Sequence, residues 1–169
     1  MNHLHMTISS HKLSSIIRAQ VSSELPSGYS LLRVSARSTS IAEVMIYGLI
    51  GGGLWGDSIS AQALVESIRS IQASELHVRI NSDGGVVSDG FAIYNALRSH
   101  SARKVIWIDG QACSIASLIA MAGDEVVAFS SSLFMVHAPS TVAAGHAESF
   151  RQAADMLDTN AEAMLPAYV

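Results

Sequence analysis

One cysteine, three prolines and a charged fraction of 14% are what this 169-residue chain has least of. The lone thiol, Cys113, excludes an internal disulfide and any zinc site built from several cysteines, and it suits a reducing compartment. Basic runs are missing too. Aromatic residues, 6% of the chain, do not interleave with basic ones, so no nucleic-acid partner is expected. No apolar run reaches the ~18–20 residues needed to span a bilayer. The opening stretch MNHLHMTISSHKLSSIIRAQ lacks the apolar core of a signal peptide. A cytoplasmic protein without a membrane partner is the expectation. What is plentiful is apolar side chain, at 49%. With so little charge to cover it, part of that surface is expected to be buried against other subunits. The net charge is −4 and the isoelectric point is near 5.9.

Residues 1–28 are polar and serine-rich and end in LPSG. They are expected to form a mobile tail, with a short amphipathic helix around LSSIIRAQV. His3, His5 and His11 lie there, but no carboxylate or cysteine completes a metal site, so no metal or other cofactor is expected. From Tyr29 to Val169 the texture is that of one domain. YSLLRVSA and IAEVMIYGLI read as strands. GGGLWGD is a turn. SISAQALVESIRSIQ spaces Ile59, Ala63, Leu64, Ile68 and Ile71 as one helix face, with Asp57 or Ser58 as cap.

The alternation continues. LHVRI reads as a strand, NSDGGVVSDG as a turn with Ser88 or Asp89 capping the next helix, and FAIYNALRSH as that helix, with Phe91, Ala92, Tyr94 and Leu97 inward. KVIWID is a strand, GQAC a turn and SIASLIAMAGD a helix. EVVAF and SLFMVH are short strands and APSTVAAG is a loop. A long helix runs from His146 toward the C-terminus, interrupted at Pro166. Strands alternating with helices predict an α/β fold with a largely parallel sheet and right-handed crossovers.

In parallel α/β units, ligands gather at the carboxyl ends of strands. Three such ends stand out. Ser114 sits among small residues where a strand hands over to a helix. A serine hydroxyl needs a base to become a nucleophile. The bland alternative for Ser114 is a helix cap. The residues do not form the G-x-S-x-G elbow, and Cys113 beside it reads as buried and inert. NSDGG places Gly85 in a turn that can expose backbone N–H groups, as half of an oxyanion hole or simply as a tight turn. It matches neither phosphate-loop pattern. His137 ends an apolar strand before Pro139. Of seven histidines it alone falls at a strand end beside the other two junctions: His77 lies within a strand, His100 ends a helix where its charge would suit the dipole, and His146 starts the long helix. Each signal is weak alone. Together they supply nucleophile, base and oxyanion donors for acyl transfer.

INSDGG, GQACSIASLIAMAGDEV and MVHAP, with their mutual spacing, resemble the three signatures of the ClpP-like serine peptidases. WGDSISA, NSDGGVVSDGFAIYNAL and AGHAESFRQAADMLD resemble most closely the branch found in tailed phages and prophages as head maturation proteases. The resemblance spans Tyr29 to Val169. It implies a ClpP/crotonase-like fold of stacked ββα units and oligomeric rings joined by a handle helix from His146 to about Leu165. It also implies a peptide bound as an added strand beside a sheet edge. Ser114 becomes nucleophile, His137 general base, and the N–H groups of Gly85 and Ile115 the oxyanion hole.

The family takes its third triad residue, an acid, from a segment following the handle helix, and no carboxylate here matches it. Asp124 and Glu125 follow the nucleophile helix, while Asp155, Asp158 and Glu162 belong to the handle. The domain is therefore expected to be C-terminally incomplete. A serine triad without its acid loses roughly 10⁴ in turnover. A Ser–Lys pair is not expected, because the only lysines are Lys12, in the tail, and Lys104, at a strand start. The leading expectation is a serine endopeptidase processing phage capsid or scaffold proteins in the host cytoplasm. Alternatives are a weakly active or inactive structural protein of the same fold and an ATP-dependent Clp-type subunit with an unfoldase partner. A crotonase-type acyl-CoA enzyme does not need a serine–histidine pair. Residues 141–146 are expected to border the cleft.

Overall fold

Alternation governs the strands at the centre of the molecule. The computed structural model describes residues 31–36, 40–52 and 58–169. The expected tail (1–28) and Asp57 lie outside the described residues. In β2 (Ile41–Tyr47), Ala42, Val44 and Ile46 are buried on one face. In β5 (Glu75–Ser82), Leu76, Val78, Ile80 and Ser82 do the same. Period-two burial of this kind marks a sheet with one face packed under helices. In β6 (Arg103–Cys113), Val105 and Ile106 are both buried, as befits a strand with neighbours on both sides.

β1 (Leu31–Ala36) pairs antiparallel with β2. β2, β5, β6 and β7 (Glu125–Ala128) are parallel, and β8 (Leu133–Met135) joins β6 in parallel beyond the end of β7. β3 (Leu49–Ile50) and β4 (Ser58–Ile59) form a separate two-stranded sheet. The register stacks Ile46, Ile80 and Ile108 side by side, all buried. IAEVMIYGLI, expected as one strand, breaks at Gly48, whose φ is 101°.

Three helices cover the buried face. α1 (Ala61–Ser70) is capped by Ser60, whose Oγ accepts from the Ala63 amide at 3.3 Å. The expected cap Ser58 and the expected helical Ile59 instead form β4. α1 buries Ala61, Leu64 and Ile68. α2 (Val87–Ser99) starts four residues before the expected helix, with Val86 at its cap position and no side-chain cap bond, so neither Ser88 nor Asp89 caps it. Its buried face is Gly90, Ile93, Ala96 and Leu97, while the expected Ala92 is exposed and Phe91 and Tyr94 are half-buried. Gly90 sets that face: a Cβ there would fall 2.0 Å from Ile115 Cγ1. α3 (Ile115–Ala120) is short and wholly buried.

His100 stands at the C-terminal end of α2, as the cap residue. His100 Nδ1 accepts from the Ala102 amide at 3.1 Å, which leaves Nε2 to donate to the Ile71 carbonyl at 3.2 Å. Arg98 lies in the last turn, and the buried Lys104 adds a second cation, its Nζ donating to the His100 and Ala102 carbonyls at 3.2 and 2.9 Å. α4 (Ala147–Met164) is the expected long helix, and a 3₁₀ turn, Leu165–Ala167, follows it at Pro166. Of its 18 residues only Met164 is buried, so α4 projects from the body. Among the described residues, no helix is long and apolar enough to cross a membrane.

Candidate active site

The stretch GQAC, expected as a turn, is strand. Gln111, Ala112 and Cys113 pair with Leu133, Phe134 and Met135, a partnership remote in sequence. Just before it the β5–β6 register slips: Ile80 opposes Ile108, but Ser82 opposes Ala112. Gly110 sits in this bulge, where a Cβ would fall 2.5 Å from Asn81 Oδ1. Bulges of this kind bend a strand and re-aim the residues that follow.

The residue that follows is Ser114. Its φ is 54° and its ψ −129°, the only positive φ of a non-glycine residue among the described residues. An L-residue in that region carries roughly 1–3 kcal/mol of strain. Ser114 occupies the cap position of α3, but its side chain makes no cap hydrogen bond. The cap reading therefore fails on geometry. The backbone is fixed instead: the Ser114 amide donates to the Met135 carbonyl at 2.9 Å, and the Ser114 carbonyl accepts from the Ser117 amide at 3.0 Å. The half-buried hydroxyl has no hydrogen-bond partner among the described residues.

The glycine turn lies against this serine. Gly84 (φ 102°) would place a Cβ 2.6 Å from Ser114 Cβ and 3.2 Å from the Ile115 nitrogen. Gly85 (φ 147°) bridges to Ile50, where a Cβ would fall 2.0 Å from the Ile50 carbonyl oxygen. The flanking bonds, Ile50 N–H to Gly84 O and Val86 N–H to Ile50 O, are each 2.8 Å. Neither the Gly85 amide nor the Ile115 amide has a hydrogen-bond partner among the described residues. Buried Ser82 braces the turn, donating to the Gly48 carbonyl at 2.6 Å and accepting from the Gly84 amide at 3.1 Å. Sequence reasoning missed Ser82. The signal was present: a serine two residues before a glycine pair is a serine-turn pattern.

His137 stands two residues beyond β8, exposed. Its Nδ1 lies 2.6 Å from the Ala138 carbonyl oxygen. A carbonyl only accepts, so Nδ1 carries a proton, and in a neutral ring Nε2 is then the basic nitrogen. β6 and β8 are parallel neighbours, so Ser114 and His137 emerge at the same end of the sheet. They share no hydrogen bond in the isolated chain, and no carboxylate contacts His137 among the described residues. Cys113 is buried as expected. Burial first, and the Asp83 charge second, push its thiol up. Exposed Asp83 accepts from Gln111 Nε2 at 2.6 Å at the edge of the turn.

The fold is shared with a ClpP1 mutant from Listeria monocytogenes. The two align with a TM-score of 0.62 over 75% of this chain and 69% of that one, at 20% identity. The family described as Clp protease matches residues 38–169. That match takes in Gly85, Ser114 and His137, and so the chain belongs to the Clp protease family, serine-type peptidases that form oligomeric rings and act on protein substrates.

Proposed function

We propose that this chain is a serine endopeptidase with Ser114 as nucleophile, His137 as general base and the amides of Gly85 and Ile115 as the oxyanion hole. One observation carries the reading. Ser114 holds a strained backbone at a strand-to-helix junction, and its hydroxyl has no hydrogen-bond partner among the described residues. Strain of that kind persists only where the surroundings over-determine it, and it clusters at functional sites.

Nε2 of His137 takes the Ser114 proton as Oγ attacks the peptide carbonyl carbon. The developing oxyanion meets the two unpartnered amides. The C–N bond then breaks as Nε2 returns the proton to the leaving amine, and water repeats the sequence on the acyl-enzyme. The Ala138 carbonyl holds the required tautomer. The unbonded Ser114 and His137 suit a site that tightens when substrate binds.

β8 pairs with β6 on one side, and among the described residues its other edge is open. Leu133, Phe134, Met135 and Val136 are all exposed there. This edge receives the peptide as an added strand. α4, with Phe150 and Met156 exposed, joins subunits into the ring. The likeness of WGDSISA and AGHAESFRQAADMLD to the head maturation branch points to phage capsid or scaffold proteins as substrate, in the host cytoplasm.

The test is digestion of casein by the wild-type chain and by Ser114→Ala and His137→Ala. Loss of cleavage in both variants is expected, with no help from an added unfoldase and ATP. Equal cleavage by all three overturns the assignment. Stimulation by unfoldase and ATP would replace the phage-type reading with an ATP-dependent subunit.

A further inference from the structure

Ser117 lies one turn after Ser114 and is fully buried. Its hydroxyl donates to the Ser114 carbonyl at 2.5 Å, beside the 3.0 Å bond from its own amide to the same oxygen. A serine hydroxyl has one proton. With that proton committed to Ser114, Ser117 Oγ can only accept from Tyr168, whose phenol oxygen is 2.8 Å away. The direction of the relay is thereby fixed: Tyr168 O–H to Ser117 Oγ, Ser117 O–H to Ser114 O. Tyr168 closes the turn that follows α4 and is half-buried. Burial pushes its phenol up, so it remains a donor at ordinary pH.

The end of the relay is a particular peptide unit. The Ser114 carbonyl and the Ile115 N–H belong to one planar trans amide and point in opposite directions. Pinning the oxygen on the buried side therefore fixes where the N–H points on the other. We infer that Tyr168 is a positioning residue for the oxyanion hole, acting through Ser117 to hold the Ser114–Ile115 peptide. The inference rests on the assignment of Ser114 and Ile115 made above.

The test uses the full chain and a fluorophosphonate, with Tyr168→Phe, Ser117→Ala and the double variant. Tyr168→Phe keeps the ring and its packing and removes only the hydroxyl. Its limiting labelling rate should fall about tenfold, less than the ~10²–10³ that follows loss of an oxyanion donor itself. The half-saturating reagent concentration should stay constant. So should the rate at which diethyl pyrocarbonate modifies His137, a reaction that needs no oxyanion hole. Ser117→Ala should show at least the same loss, and the double variant no more than the worse single one. Labelling of Tyr168→Phe at the wild-type rate overturns the inference. So does a loss matched by equal changes in half-saturation and in His137 reactivity. Failure of the wild-type chain to label at Ser114 overturns the function proposed above and this inference with it.

Discussion

The amide of Ser114 donates to the carbonyl of Met135 across 2.9 Å. That bond ties the end of β6 to the end of β8, two residues before His137. It extends a parallel ladder by one step and aligns the two strand ends that carry the proposed nucleophile and base. Ser114 is thus held by its backbone on both sides while its hydroxyl has no hydrogen-bond partner among the described residues.

Strain at Ser114 makes a stability prediction with the opposite sign from its activity prediction. Ser114→Gly relieves the positive φ, which glycine adopts without steric cost. A net gain of about 1 kcal/mol, or roughly 2–4 °C in Tm for a chain of this size, is expected by thermal unfolding, with complete loss of peptidase activity. Ser114→Ala should lose activity without the gain.

Gly84 cannot carry a side chain. Gly84→Ala sets a Cβ 2.6 Å from Ser114 Cβ at a φ of 102°. Something must shift, and what lies there is the turn that carries the proposed nucleophile. Destabilisation of roughly 1–3 kcal/mol is expected in urea unfolding, together with loss of labelling at Ser114.

The strand ends were legible because local patterns mark them: a small-residue run after KVIWID, a glycine pair after LHVRI, a histidine before Pro139. The candidates Ser114, Gly85, Ile115 and His137 came from those patterns together with the family resemblance. Contacts between distant segments were not legible. GQAC read as a turn because glycine and glutamine are poor strand formers, and only pairing with Leu133–Met135 makes it strand. The phase of α2 was missed because close packing of Gly90 on Ile115, not hydropathy, selects its buried face. Tyr168 was invisible for the same reason: it meets Ser117 across 51 positions.

Asp124 should carry part of the acid sensitivity. The Lys104 amide, donating to its carboxylate at 2.7 Å, holds it below the ordinary carboxylate value, with the Lys104 ammonium adding to the effect. A depressed folded pKa stabilises above the unfolded value, near 3.8, and that stability is lost as pH falls through the folded value. Asp124→Asn should lower Tm at pH 7 and flatten its fall below about pH 4. A parallel acid limb in the variant would contradict this.

α4 presents Phe150 and Met156 to solvent in the single chain. Replacing both with Glu should shift light-scattering mass from ring to smaller species and leave helix content unchanged by circular dichroism. A ring of unchanged mass would remove α4 from the interface.

The most direct measurement is fluorophosphonate labelling of the purified, assembled chain, followed by peptide mapping and a Ser114→Ala control. An adduct on Ser114 that vanishes in the control, and that slows by ~10²-fold or more in His137→Ala, is the predicted result. A folded assembly that takes up no reagent, or takes it up at another residue, would contradict the account.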